Sequence, residues 1–253
     1  MVKKQAPSPP KPRSSPKAFY VILGAVAVIG AYFLYMQTRA GSGAASATTI
    51  DPNVPLPKAE GYVLGNADAP VQVIEYADFE CPVCAYFATI TEPDIRKRLV
   101  ETGQISLRYM HYHIPSHPNT WAASQAAACA NEQGKFWEMH DAIYESQDRW
   151  AGTATRKPKG VLKDLAERVA LNVRQWETCF DTQKYQPQLL ASQQDAERRQ
   201  VRGTPTFIIG SKMIDHNMSY DQFKAYVDTA LAAAKAAAPN DSAAKKGTIT
   251  RSK

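Results

Sequence analysis

Two cysteines separated by two residues form the segment of this chain with the clearest chemical potential. Cys81 and Cys84 enclose Pro82 and Val83, and the segment follows closely on an apolar run at residues 71–76. If a helix begins here, Cys81 lies in its first turn, where unpaired N–H groups and the helix dipole favour a thiolate. The i, i+3 spacing places both sulfurs on one helix face, within bonding reach. The pattern therefore predicts thiol–disulfide exchange, in which one thiolate attacks and the other resolves the mixed disulfide.

A zinc site is the main alternative interpretation of this cysteine pair. Structural zinc usually takes four nitrogen or sulfur ligands, so His111, His113 or His117 would have to complete the set. The sequence contains no second CxxC segment, and histidines near a strand are more often packing or surface groups. We therefore predict no bound metal and no dissociable cofactor.

The N-terminal region contains a candidate membrane anchor. Residues 18–36 are a run of 19 uncharged residues, which as a helix would span roughly 28 Å, close to a bilayer core of about 30 Å. Five cations precede the run and Arg39 follows it, which places the N-terminus in the cytoplasm. Residues 45–47 (Ala-Ser-Ala) offer a cleavage pattern, but the run is longer than a usual signal-peptide core. We predict a single-pass helix in the cell inner membrane, with the domain that follows in the periplasm or another extracytoplasmic space.

The net charge of +6 does not indicate nucleic-acid binding. The excess of cations lies in residues 1–39 and 235–253, which leaves residues 40–234 net acidic. A basic footprint for phosphates should lie on the folded domain instead. We therefore expect no nucleic-acid partner.

The rest of the chain has the pattern of one α/β domain between low-complexity segments. Apolar runs predict strands, and Ala-, Gln- and Glu-rich stretches predict helices, in the order β-α-β, a helical block over about 118–200, then β-β-α. The predicted strands cover 71–76, 105–110, 206–209 and 212–214, and the first and last helices cover 82–101 and the residues after Ser219. The organisation is a disordered cytoplasmic arm (1–17), the anchor (18–36), a flexible linker (37–60), the folded domain (61–237) and a disordered tail (238–253).

A second motif, Gly203-Thr204-Pro205-Thr206-Phe207, precedes a predicted strand. Together with strand–CxxC–helix, it resembles the thioredoxin-fold thiol oxidoreductases over residues 61–235. The stretch 128–141, which contains Cys129 and Phe136-Trp137, is similar to the first helices inserted in the DsbA-like branch of that family. The resemblance implies a thioredoxin-like fold with an inserted helical subdomain.

The resemblance also implies roles for individual residues. Cys81 would be the exposed nucleophile and Cys84 the more buried resolving thiol. Pro205 would be a cis-proline facing the cysteines, and the Thr204 backbone would bind an extended polypeptide. Glu75 would be a buried acid that exchanges protons with the second cysteine. Burial of its carboxyl would be expected to raise its pKa.

The residues next to the cysteines leave the direction of electron flow open. Pro82 and Val83 are expected on the substrate-binding face, and Val83 replaces the histidine of strongly oxidising DsbA-like proteins. Valine cannot stabilise a thiolate, and Glu80 would oppose one. Both features predict a less oxidising centre.

Cys129 and Cys179 fall in the helical block and could be free buried thiols or a disulfide. Outside the cytoplasm a structural disulfide is the better interpretation, and a second redox pair stays an alternative.

We therefore expect an enzyme that makes, breaks or reshuffles disulfides in exported polypeptides and passes electrons to a membrane redox partner. Two alternatives remain at this stage. One is a metal-handling or client-binding thioredoxin-fold domain, and the other is a periplasmic reductase dedicated to a single client.

Overall fold

The computed structural model of the protein describes residues 16–40, 48–49 and 60–237. The basic arm up to residue 15, the Ala-Ser-Ala pattern, most of the predicted linker and the tail from residue 238 lie outside these ranges.

The first element is helix α1, Pro16–Ala40, which belongs to a unit separate from the rest of the chain. A search of the described residues finds no helix that has both the length and the apolar character needed to cross a bilayer.

The second unit is built on a mixed sheet in the order β1-β6-β5-β3-β4-β2. Its two central strands, β3 and β4, are parallel, and all the other pairs are antiparallel. The central strands are buried along most of their length, as strands covered on both faces must be. The strands are β1 (Thr48–Thr49), β2 (Tyr62–Leu64), β3 (Val71–Ala77), β4 (Ile105–His111), β5 (Thr206–Ile209) and β6 (Lys212–Ile214).

One face of the sheet is covered by the first helix after β3 and by the last helix of the chain. Helix α2 runs through four consecutive segments, Pro82–Tyr86, Phe87–Thr91, Glu92–Ile95 and Arg96–Val100, of which the second and fourth are π-helical. Helix α9 (Tyr220–Ala237) packs beside it. Their side chains Phe87, Ile95, Leu99, Phe223 and Val227 share an apolar core with β3, β4 and β5.

A helical block lies between β4 and β5 in the chain. Its helices are α3 (Thr120–Asn131), α4 (Phe136–Glu145), α5 (Gln147–Trp150), α6 (Lys159–Arg168), α7 (Val173–Asp181) and α8 (Gln186–Arg198). Most of the block shares one core with the cysteine pair, which includes Phe79, Cys84 and Tyr109. The end of α8 instead covers the second face of the sheet, where Ala196 packs with Tyr76 and Ile208.

The predicted α/β order with a helical insertion is therefore confirmed, and two short strands were missed. Strand β2 spans only three residues and has no extended apolar alternation, so its pattern was too short to detect. Gly61 precedes it because a Cβ there would lie 2.5 Å from the Tyr109 carbonyl oxygen. Within the predicted linker, the structure describes the end of α1 at Ala40 and the pairing of Thr48–Thr49 with β6.

Candidate active site

The cysteine pair lies at the start of α2, a few residues after the end of the central strand β3. Cys81 is the N-cap residue, with extended backbone angles (φ −73°, ψ 120°), and Pro82 follows within the first turn. The Cys81 N–H donates to the Asp78 carbonyl at 3.0 Å and closes the preceding turn. Proline fits this position because first-turn N–H groups have no helical acceptor.

Both cysteines are free thiols, and both are buried. Cys84 has no solvent exposure and Cys81 is 6% exposed. The expectation that Cys81 is exposed is therefore wrong, because almost all of this residue is buried.

The loop that contacts Cys81 contains the second sequence motif. The Thr204–Pro205 peptide bond is cis, and the Cys81 sulfur lies 3.5 Å from the Thr204 carbonyl oxygen. Antiparallel pairing of β5 with β3, with Thr206 opposite Tyr76, holds this loop at the end of the sheet where α2 begins. The fold thus brings together two motifs that are more than a hundred residues apart in the chain.

The surroundings of Cys81 favour its thiolate. The pKa of Cys81 is lowered from 9.0 to about 6. The largest cause is a hydrogen bond from the Cys84 thiol, which outweighs the opposing effect of burial. The backbone N–H groups of Cys84 and Val83 lower this pKa further, as a helix N-terminus does.

The second thiol has the opposite tendency. Burial raises the pKa of Cys84 well above its ordinary value, and the hydrogen bond to Cys81 and the Cys81 charge raise it further. The nearby Glu75 charge acts in the same direction. The thiolate is therefore favoured at Cys81, whereas Cys84 is kept as a thiol.

Glu75 lies in the centre of β3, between Tyr109 of β4 and Phe207 of β5. It is almost fully buried, and its Oε2 has no hydrogen-bond partner among the described residues. Burial raises the pKa of Glu75 well above its ordinary value, and the negative charge of Glu92 raises it further. The positive charge of Arg96 opposes this shift only in part.

Glu92 and Arg96, which follow the cysteines on α2, form an ion pair. The sequence analysis did not predict this pair. Glu92 is fully buried on α2, and its Oε1 lies 2.6 Å from Arg96. Arg96 also binds Asp141 of α4 at 2.7 Å, so it connects α2 to the helical block. The i, i+4 spacing of Glu92 and Arg96 was a visible signal, but their burial was not.

The residues beside the cysteines differ in exposure. Val83 is 46% exposed and Pro82 is exposed as well, so both are available on the surface next to Cys81. Glu80 was expected to oppose the thiolate, but its carboxylate turns to the helical block. It accepts hydrogen bonds from the backbone N–H groups of Asn119 at 2.7 Å and Gly152 at 2.5 Å.

The histidines considered as zinc ligands have separate environments. His111 is buried among aromatic rings, and His113 stacks on Trp121 and contacts Ser124 at 3.0 Å. His117 lies 2.9 Å from the Asp78 carboxylate. Within the described residues, no group of three or more histidine, cysteine or acidic side chains could hold a metal ion.

Cys129 of α3 and Cys179 of α7 are joined by a disulfide within the helical block. The indole N–H of Trp176 donates to the Ala126 carbonyl at 3.0 Å and ties the same two helices.

The fold and the thiol pair together define the class. The protein has a mixed sheet of the thioredoxin type, with two free cysteine thiols at the start of α2 beside a cis-proline. A thioredoxin family model matches residues 58–229, and the chain belongs to that family.

Two curated relatives differ in how much of their length the match covers. Disulfide bond formation protein D of Bacillus subtilis is 26% identical over 180 residues, which are 67% of this chain and 76% of the relative. Na(+)/H(+) antiporter NhaA 3 of Salinispora tropica is 34% identical over 194 residues, which are 76% of this chain. The match covers only 28% of the antiporter, so the chain spans about a quarter of that relative's length.

The crystal structure of alpha-DsbA1 from Wolbachia pipientis superposes with a TM-score of 0.63 at 20% identity. The match covers 72% of this chain and 95% of that one. The predicted DsbA-like fold is confirmed.

Proposed function

We propose that the protein is a thiol–disulfide oxidoreductase that uses Cys81 and Cys84. The observation that carries this proposal is the opposite tendency of the two thiols, since the pKa of Cys81 is lowered to about 6 and that of Cys84 is raised. Exchange needs an attacking thiolate and a resolving thiol that waits until the mixed disulfide has formed. The name of the Bacillus relative agrees with this chemistry.

The proposed reaction has two balanced steps. The Cys81 thiolate attacks one sulfur of a substrate disulfide, a mixed disulfide forms, and the other substrate sulfur leaves as a thiolate. Cys84 then loses its proton and attacks the Cys81 sulfur, which releases the second substrate thiolate and closes the Cys81–Cys84 disulfide. Two electrons pass from the dithiol to the substrate, and the reverse sequence oxidises a substrate dithiol.

Glu75 is the proposed acceptor of the Cys84 proton. Burial raises its pKa, which makes its carboxylate a stronger proton acceptor than an ordinary one, and its charge already affects the pKa of Cys84. We expect Glu75→Gln to slow resolution of the mixed disulfide while attack by Cys81 continues. Quenched-flow analysis of the two steps would test this, and an unchanged resolution rate would remove Glu75 from the mechanism.

The proposed substrate is an extended polypeptide that binds along Thr204 and Pro205, with Pro82 and Val83 contributing the opposite side. Backbone groups of the loop at the cis-proline can pair with an extended chain, and such hydrogen bonds do not depend on substrate sequence. The Cys81 sulfur lies 3.5 Å from the Thr204 carbonyl, so a substrate bound there would have its disulfide beside the nucleophile. We infer that these polypeptides are exported proteins and that a membrane redox partner exchanges electrons with the enzyme.

We also propose that residues 18–36 anchor the enzyme in the cell inner membrane, with the catalytic domain on the extracytoplasmic side. The support is the uncharged sequence and the cations before it. The full chain should stay with the membrane after alkaline carbonate washing, and a chain that lacks 18–36 should not. Release of the full chain by carbonate would exclude the anchor.

The reduction potential of the Cys81–Cys84 pair is the experiment that tests the proposed function. Equilibration with glutathione redox buffers should show one two-electron transition between about −270 and −120 mV, the range from reductases to strong oxidases. Val83 cannot stabilise the thiolate, whereas the lowered pKa of Cys81 makes the disulfide easier to reduce, so we expect an intermediate value. A pair that shows no reversible transition would contradict the proposal.

A further inference from the structure

The short segment between β3 and Cys81 is tied to the helical block by side-chain hydrogen bonds. The Asp78 carboxylate accepts from the Thr120 hydroxyl at 2.6 Å and from the Ile114 N–H at 2.8 Å. The Glu80 carboxylate accepts from the N–H groups of Asn119 and Gly152. Residues outside the sheet therefore fix the position of the segment that leads to Cys81.

Gln147, also in the helical block, forms a side-chain hydrogen bond to Cys81 itself. Its side-chain Nε2 donates to the Phe79 carbonyl at 2.8 Å and to the Cys81 carbonyl at 3.1 Å. Gln147 is the first residue of α5, so these bonds connect the helical block to the backbone on both sides of Glu80.

The Cys81 carbonyl also takes part in the first turn of α2. It accepts the first hydrogen bond of α2, from the Ala85 N–H at 3.1 Å. The orientation of the Cys81 peptide group therefore determines how the sulfur faces the N–H groups of Val83 and Cys84. A second donor on the same carbonyl restricts rotation of that group.

We propose that Gln147 is a positioning residue for Cys81, through which the inserted helical block sets the rate of thiol exchange. The inference rests on the proposed function, because it assigns to Gln147 the orientation of the attacking sulfur. Both side-chain hydrogen bonds of Gln147 to this segment go to carbonyl oxygens, which take no part in the exchange reaction.

The test compares Gln147→Met, which keeps the length of the side chain without a donor, with Gln147→Ala. In the full chain, both variants should raise the pKa of the Cys81 thiol, read from the ultraviolet absorbance of the thiolate. Below the Cys81 pKa, both should react with oxidised glutathione about two- to tenfold more slowly, the range expected for loss of the hydrogen bond to the Cys81 carbonyl. The melting temperature should change little because Gln147 is only half-buried.

Gln133 provides a matched control in the same helical block. It is also half-buried, and its side chain bonds both backbone groups of Asn172, at 2.7 and 3.3 Å, with no contact to the cysteine segment. Gln133→Ala should leave the pKa of Cys81 and the glutathione reaction unchanged.

Three results would overturn the inference. The first is a Gln147→Met variant with the thiolate pKa and rate of the unaltered protein, which would leave only a packing role. The second is an equal change in Gln133→Ala, and the third is a loss of rate that merely follows a loss of stability. Absence of exchange in the unaltered protein would instead count against the proposed function. The role of Gln147 could still be tested then, because the pKa of Cys81 is measured without a disulfide substrate.

Discussion

Replacement of Cys81 by serine should abolish thiol–disulfide exchange, whereas replacement of Cys84 by serine should trap its substrate. Without Cys81 the remaining thiol is fully buried and has a raised pKa, so it cannot attack at neutral pH. Without Cys84 the Cys81 thiolate still attacks, but no second sulfur is present to release the substrate. The first variant should lose all turnover, and the second should complete one attack and accumulate a mixed disulfide.

The attack step should depend on pH in a direction set by Cys81. Its pKa is lowered to about 6, so the reactive thiolate predominates above this pH and is protonated below it. The rate of the first attack should therefore rise about tenfold from pH 5 to pH 7 and change little above that. The measurement is the second-order rate constant of the reduced protein with a disulfide-containing peptide.

Mass spectrometry of the quenched products separates the two roles. The Cys84→Ser protein should carry one peptide, attached at Cys81, and the Cys81→Ser protein should carry none. A peptide attached at Cys84, or full turnover by the Cys81→Ser variant, would reverse the assignment of nucleophile and resolving thiol. A first-attack rate that stays constant between pH 5 and pH 7 would show that a different group limits the reaction.

The position of this reactive pair could be predicted because its determinants are local. A buried strand, two cysteines at i and i+3 and a proline in the first turn specify a helix N-terminus within about a dozen residues. The proline before β5 was recognisable for the same reason. Its contact with Cys81 could be expected only from the family resemblance, since no local pattern relates Thr204 to a residue 123 positions earlier.

The environment of the pair could not be predicted because it depends on contacts across the insertion. Glu80 was expected to act through its charge on the adjacent sulfur, but backbone N–H groups of Asn119 and Gly152 bind its carboxylate. Gln147 gave no signal at all, because a glutamine at the start of a short helix is usually solvated. The burial of Cys81 could not be predicted for the same reason, because Cys81 packs in the core of the helical block and contacts the loop before β5.

Removal of the Cys129–Cys179 disulfide should destabilise the domain without changing attack by Cys81. The bridge closes a loop with a sequence separation of 50. In the chain-entropy account, its loss should lower the free energy of unfolding by about 4 kcal/mol. For a domain of this size, the melting temperature should fall by about 8–16 °C. The Cys129→Ala, Cys179→Ala double variant is preferred to single variants, because no unpaired thiol then remains in the helical block.

Denaturant unfolding should be measured with Cys81 and Cys84 both replaced by serine, so that the two proteins compared differ only in this bridge. The packing of α3 against α7 should survive its loss, because the Trp176 indole still donates to the Ala126 carbonyl. A change in unfolding free energy below about 1 kcal/mol would argue against a structural role.

A second redox pair predicts a different pattern in the protein that retains Cys81 and Cys84. Single-turnover attack would then be normal, but multiple turnover would fail at temperatures where the variant is folded, because electrons would no longer leave through the helical block.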